Sequence, residues 1–230
     1  MPGATRQARP AYFNTDRGVG TDAYAGPFDA LLNKGFAVAQ WEDRNRAIFD
    51  HAYGWDEVRV SLTRPGAVVA RRGGWGEVLK VHALPFYQGG YREPQWISNY
   101  FGHVFEGGLV HRRLIEWNRA RGVPFPIVTA AAVTYASSLV NEAYETPPRT
   151  DGGPATGNPG IVTDLLVFDP LGILLFSFDG MARFTHRLGA AVWPSQGSWV
   201  LNTETIHNNG ESIVFKVPLP ATDSRLFLRG

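Results

Sequence analysis

The chain has 230 residues, and its 22 Lys and Arg against 21 Asp and Glu leave a net charge of +1. So balanced a surface gives no electrostatic footing for nucleic acid. The absence of cysteine excludes disulfide frameworks, cysteine zinc sites and thiol chemistry.

In chain order, residues 1–26 are rich in Gly, Pro and polar side chains and read as an extended or disordered lead-in. They hold no apolar stretch of the kind a signal peptide needs. Residues 27–192 read as a mainly helical domain. The segment from Pro27 is amphipathic, with Phe28, Leu31, Leu32, Phe36 and Val38 available to one side, Pro27 suited to a first helical turn and Gly35 a break. The alternation Val58-Val60-Leu62 and Ala67-Val69, parted by Pro65-Gly66, predicts a hairpin, followed by a short helix through Trp75 to His82. Ser98 is placed to cap a long helix that ends at Gly122, just before Pro124. Its glycines at 102, 107 and 108 each cost roughly 1 kcal/mol in an isolated helix, which makes sense where another backbone approaches closely.

A second helix covers Pro126 to Glu145, with Ala130, Ala131, Ala132, Ala136, Ser137 and Ser138 offering a surface for tight helix contact. The Pro- and Gly-rich loop after Glu145 leads to a third helix from about Ile161 to Arg187, with a kink expected at Pro170 and Gly172. No apolar run reaches the ~18 to 20 residues that span a bilayer, because Asp164, Asp169 and Pro170 interrupt the nearest one. Beyond Pro194 the pattern changes to period two. Residues 193–230 read as a β-hairpin region, with Ile213, Phe215, Val217 and Leu219 on one face and a tight turn at Asn209-Gly210. The alternation in SRLFLRG stops at Gly230, which reads as a strand cut short. The fold expected is therefore α+β: a compact unit of about three core helices followed by antiparallel strands that open a sheet or a β-barrel.

Acidic groups on apolar helices are costly to bury unless they are paired or used. Ser138, Glu142 and Glu145 stand at i, i+4 and i+7 and share one helical face. His103 lies on the preceding helix and Asp164 opens the following one. Side-by-side packing of the three would bring His103, Glu142 and Asp164 into one buried polar cluster. There an imidazole held by carboxylates could serve as general base, or the carboxylates could hold a metal. Plainer readings stand beside this. Asp164 also suits a first helical turn through the helix dipole. Glu142 and Glu145 also suit a solvated helix end or partners for Arg112 and Arg113, and His103 a hydrogen-bonded core position. No metalloprotease, nucleophile-elbow, phosphate-loop or dinucleotide fingerprint occurs, so the cofactor stays open.

The succession WISNYFGHVFEGG, SSLVNEAYE and GNPGIVTDLLVFDPLGILLF resembles a family of uncharacterised Gram-negative envelope proteins. More distantly it is similar to the helical pattern of VanZ-like proteins. On that resemblance Asn99, His103, Glu142, Glu145, Asp164 and Gly172 are the motif positions. Phe168 stands where the VanZ-like pattern has Asn. The resemblance implies a periplasmic or outer-membrane address, membrane or lipid association, and a barrel beyond the helices; it supplies no activity. Two functions follow. One is a scaffold in which His103, Glu142 and Asp164, with Asn99, Ser138 and Glu145, tie helices together. The other is a hydrolase or transferase acting on a lipid or cell-wall component, with His103 as base and Glu142 or Asp164 as orienting groups or metal ligands. A partner-binding module using exposed Trp and Phe is a third reading.

Overall fold

A computed structural model describes residues 11–14, 26–36, 52–87, 95–146, 153–192, 199–201, 206–208, 213–218 and 225–229. Most of the expected lead-in, and the Asn209-Gly210 turn, lie outside these residues.

The centre of the fold is α7 (Pro126–Glu145). Pro126 opens it, and no Gly or Pro interrupts it before Glu145, so the backbone hydrogen-bond ladder runs unbroken over its length. Around it pack α1 (Pro27–Gly35), α2 (Ala52–Thr63) and α6 (Gly107–Ala120). The small residues do what their pattern suggests: Ala130 is fully buried against Ala30, Val110, Leu114 and Ile115, and Ala143 packs with Val58, Ile161 and Leu165. Pro65 starts α3 (Pro65–Ala70), and α4 (Trp75–Ala83) follows.

The hairpin expected between Val58 and Val69 is absent; that stretch is α2 and α3. The β-branched residues there obey helical spacing on the buried side. Val58 meets the α7 face, while Val68 and Val69 close a second cluster with Val78 and Val162. Tertiary burial outweighs their modest strand preference.

The long helix expected from Ser98 is three pieces in line: α5 (Trp96–Ser98), a π-helical stretch π1 (Asn99–Glu106) and α6. The expected third helix is likewise α8 (Pro159–Thr163), a second π-helical stretch π2 (Asp164–Phe168) and α9 (Asp169–Phe176). It stops at Ser177 and Phe178 and resumes as α10 (Asp179–Arg187). The bend expected at Pro170 and Gly172 is thus displaced: Pro170 sits in the first turn of α9, where its missing N–H is least costly. Gly172 presses on π1. A Cβ there would lie 2.7 Å from the Val104 carbonyl oxygen and 2.9 Å from that of His103.

The run Pro159–Phe176 is, by length and composition, apolar enough to cross a membrane, with a mean hydropathy of 1.7. The sequence reading discounted it because of its two acids and its proline. More than half of it is buried inside the protein, and a core helix has the same composition.

The α+β expectation is overturned. The described residues are predominantly helical, with more than three helices packed around α7. Among the described residues the strands form a fringe of short pieces and not a second layer. β1 (Ala190–Val192) pairs antiparallel with β4 (Ile213–Pro218), Ala190 opposite Phe215, and β4 pairs with β5 (Arg225–Arg229). β2 (Trp199–Leu201) pairs with β3 (Ile206–Asn208). β1 itself falls within the range read as helical. Ala190 and Phe215 pack onto the helical core beside Leu109 and Phe176, so this fringe closes one flank of the bundle.

Candidate functional site

Two of the three converging side chains come from π-helical stretches, which are uncommon and recur at functional sites. His103 lies in π1, and Asp164 is the first residue of π2. In each, one backbone N–H reaches five residues back: Gly107 to the Gly102 carbonyl, and Asp169 to the Asp164 carbonyl. The wider turn stacks Asp164 and Asp169 along one side of the rod. Glu142 reaches the same space from α7.

His103 stands at the centre. Its Nε2 is 3.9 Å from Glu142 Oε1 and 3.8 Å from Asp164 Oδ2, and its Nδ1 is 3.4 Å from Asp169 Oδ1. Lys34, from α1, places Nζ 3.7 Å from the same Asp169 oxygen and donates to Ser138 Oγ at 2.8 Å. Gly107 leaves room for this: a Cβ there would stand 3.3 Å from Lys34 Cε and 3.5 Å from Asp169 Oδ1. Glu142, Asp164 and Asp169 are buried. The His103 side chain keeps 14% of its exposure and that of Asp164 12%, so solvent touches one edge of the cluster. Glu142 Oε1, Asp164 Oδ1 and Asp169 Oδ2 are buried with no hydrogen-bond partner among the described residues.

Burial and charge oppose each other here. Burial alone would lower the His103 pKa, but the charges of Asp164 and Asp169, the hydrogen bond to Asp169 and the charge of Glu142 outweigh it and lift it to about 10. Asp164 is raised to about 7 by burial, against the pull of the His103 charge. Glu142 is raised well above the usual carboxylate range by burial and by the neighbouring Asp164. Asp169 goes the other way. Burial would raise it, yet Lys34, His103 and the hydrogen bonds from His103 and Ser138 hold it down at about 2. At neutral pH the imidazole is therefore a cation facing a fully ionised Asp169 and two carboxyl groups that resist losing both protons together.

His103, Glu142 and Asp164, the three residues expected to meet, are brought together, and Ser138 joins them through Lys34. Asn99 is not in the cluster. Its Nδ2 donates to the His82 carbonyl oxygen at 2.9 Å and faces His82 Nδ1 at 3.2 Å, fastening α4 to π1. Glu145 is exposed and accepts from Asn141 on its own helix at 3.3 Å. Position 145 is only about 60° from 142 around an α-helix, but it is the last residue of α7, at the solvent-exposed end of the rod. Glu142 does not pair with Arg112; that arginine is fully buried between Glu116, at 2.8 Å, and Asp179, at 2.6 Å. Gly172 supports the site from behind by letting α9 meet π1.

Lys34 and Asp169 were missed by the sequence reading. Asp169 is five residues from Asp164, about 140° away on an α-helix and close on a π-helix, so the helical template hid it. Lys34 carries no local signal beyond a cation in the last turn of a short helix.

The chain matches no protein-family model, no curated protein and no solved structure.

Proposed function

We propose that this chain is the helical, membrane-proximal unit of a bacterial envelope protein, and that its buried charge network is a scaffold holding separate helices in register. The observation that carries the scaffold is the origin of the charges. Lys34 comes from α1, His103 from π1, Glu142 from α7, Asp164 from π2 and Asp169 from α9. Cations and acids alternate along the chain of contacts from Lys34 through Asp169 and His103 to Asp164 and Glu142. Removing one member leaves an uncompensated buried charge, which is far costlier than the pair is stabilising. The envelope address is supported by the resemblance of the Trp96–Gly108, Ser137–Glu145 and Gly157–Phe176 stretches. It is also supported by large apolar side chains left at the surface, among them Phe86, Phe125, Phe178 and Phe184, which suit a water–lipid boundary.

A general-base role for His103, the core of the hydrolase or transferase alternative, needs a neutral imidazole. The acids around it keep it protonated at neutral pH, which favours the scaffold.

The test is a double-mutant cycle on His103→Ala and Glu142→Ala, read by urea unfolding in the presence of a chelator. A scaffold predicts non-additive losses with a coupling of about 0.5–3 kcal/mol. Strictly additive losses sink it.

A further inference from the structure

We infer that His103, Glu142 and Asp164 form a binding site for one divalent transition-metal ion of the zinc or manganese class, with His103 Nε2 and one oxygen from each carboxylate as ligands. This deepens the scaffold reading by giving the network a second state, in which a cation takes the place of the imidazole proton.

The donor geometry comes first. One ligand atom from each of the three residues lies within 4.8 Å of the other two, with Nε2 at 3.9 Å and 3.8 Å from the two oxygens. A triangle with those edges has its centre at most about 2.5 Å from each corner, against bonds of about 2.0–2.2 Å to zinc. Closing the difference takes a shift of a few tenths of an ångström at each side chain. The donor set of one imidazole and two carboxylates suits zinc or manganese, whereas magnesium and calcium favour oxygen alone.

Two further observations point to a ligand, independently of the acids being near one another. Glu142 Oε1 and Asp164 Oδ1 are buried oxygens with no hydrogen-bond partner among the described residues. Glu142 Oε1, on a side chain more than nine-tenths buried, is one of the two oxygens aimed at Nε2. An acceptor left so is expensive unless something cationic reaches it. The other ring nitrogen also has its partner: Nδ1 faces Asp169 Oδ1 at 3.4 Å, and Lys34 and Ser138 hold Asp169 in turn. A carboxylate on the far nitrogen fixes the tautomer and leaves Nε2 free to coordinate, the arrangement around most metal-bound histidines. The residual exposure of His103 and Asp164 gives the ion a way in.

Three protein ligands leave at least one position for water, as at zinc centres that activate water. Asp169 is a positioning residue; the other three touch the ion.

The experiment is isothermal titration of the full 230-residue chain, stripped with a chelator, with zinc chloride and separately with manganese chloride. The expected result is one site, weakened about 10-fold or more in H103A, E142Q and D164N, and about 10- to 100-fold in D169N. His186→Ala, in α10 with its ring against Tyr12 and Phe13, leaves binding unchanged. Equal affinity in the wild type and the three ligand variants overturns the proposal, as does zinc uptake that disappears with His186→Ala. Should a variant fail to fold, the visible spectrum of cobalt(II) added to the wild-type chain decides. Intense bands of four- or five-coordinate cobalt support the site; the spectrum of the hydrated ion alone overturns it. The double-mutant cycle is run in chelator, so it tests the network without the ion, and either result can fail alone.

Discussion

The imidazole of His103 is charged at neutral pH because acids on three sides outweigh its burial, and this fixes how stability changes with pH. Its pKa rises from 6.5 to about 10 on folding. The stabilisation it brings is therefore fully present below the unfolded value and is lost as pH climbs through the folded one. Asp164, raised from 3.8 to about 7, works in the same direction at lower pH: it favours the folded state most when protonated and progressively less up to neutrality. Asp169, lowered to about 2, stabilises above pH 3.8 and loses its contribution as pH falls through 2. The urea midpoint of the wild-type chain should thus decline between about pH 7 and pH 10. A wild-type curve that stays flat across that interval would count against the charged imidazole. At this scale the sequence carried the three central residues, since apolar helices with an isolated acid or imidazole advertise a buried partner. Lys34 and Asp169 stayed hidden, one for want of any pattern and the other behind the wrong helical period.

Glycines decide how closely the helices approach. A Cβ on Gly54 would lie 1.9 Å from the Ala143 carbonyl oxygen, so α2 rests backbone to backbone on α7. Gly172 does the same between α9 and π1. Both clashes are with main chain, which cannot swing aside as a side chain can. Gly54→Ala and Gly172→Ala should each cost about 1–3 kcal/mol or more. Gly66→Ala, in α3 with nothing within 4 Å of the added carbon, should stabilise by about 0.4–1 kcal/mol. Chemical denaturation of the three variants checks the order, and a neutral Gly54→Ala would refute the contact. The extent of α7 could be read from its opening proline and Ala-rich, Gly-free run. The hairpin error between Val58 and Val69 came from a four-position alternation, too short to separate period two from a helix with valines on its buried side. No propensity announces a π-helical turn; it is set by the helices that pack against it.

Across the molecule a second ionic contact ties an early segment to the core. Glu116 accepts from the backbone N–H groups of Phe13, at 2.7 Å, and Asn14, at 2.9 Å, while it also pairs with the fully buried Arg112. Phe13 then packs with Leu109 and Phe176, and Tyr12 lies against the Arg112 guanidinium. Glu116→Ala should destabilise by about 3 kcal/mol, because a buried arginine loses one of its acids. It should also open residues 11–14 to rapid amide exchange while α7 stays protected. Retained protection at Phe13 and Asn14 would dismiss the strap. None of this was visible in the sequence, where residues 1–26 carry only loop-like composition and the contact spans about a hundred positions. The overall class was misjudged for a related reason. A strand pattern at the end of the chain says nothing about how much of the core it covers, and here helices cover nearly all of it.

The wide turns at Asn99–Glu106 and Asp164–Phe168 each hold a surplus residue relative to an ordinary α-helix. Deleting one residue from either would mend the local hydrogen-bond ladder and leave the segment beyond nearly in phase, while returning the residues inside it to α-helical spacing and turning His103, or Asp164 relative to Asp169, out of line with its partners. The extra residue in each short stretch therefore serves the polar cluster more than the packing, and shortening either should loosen the cluster while Leu109 and Phe176 stay in the core.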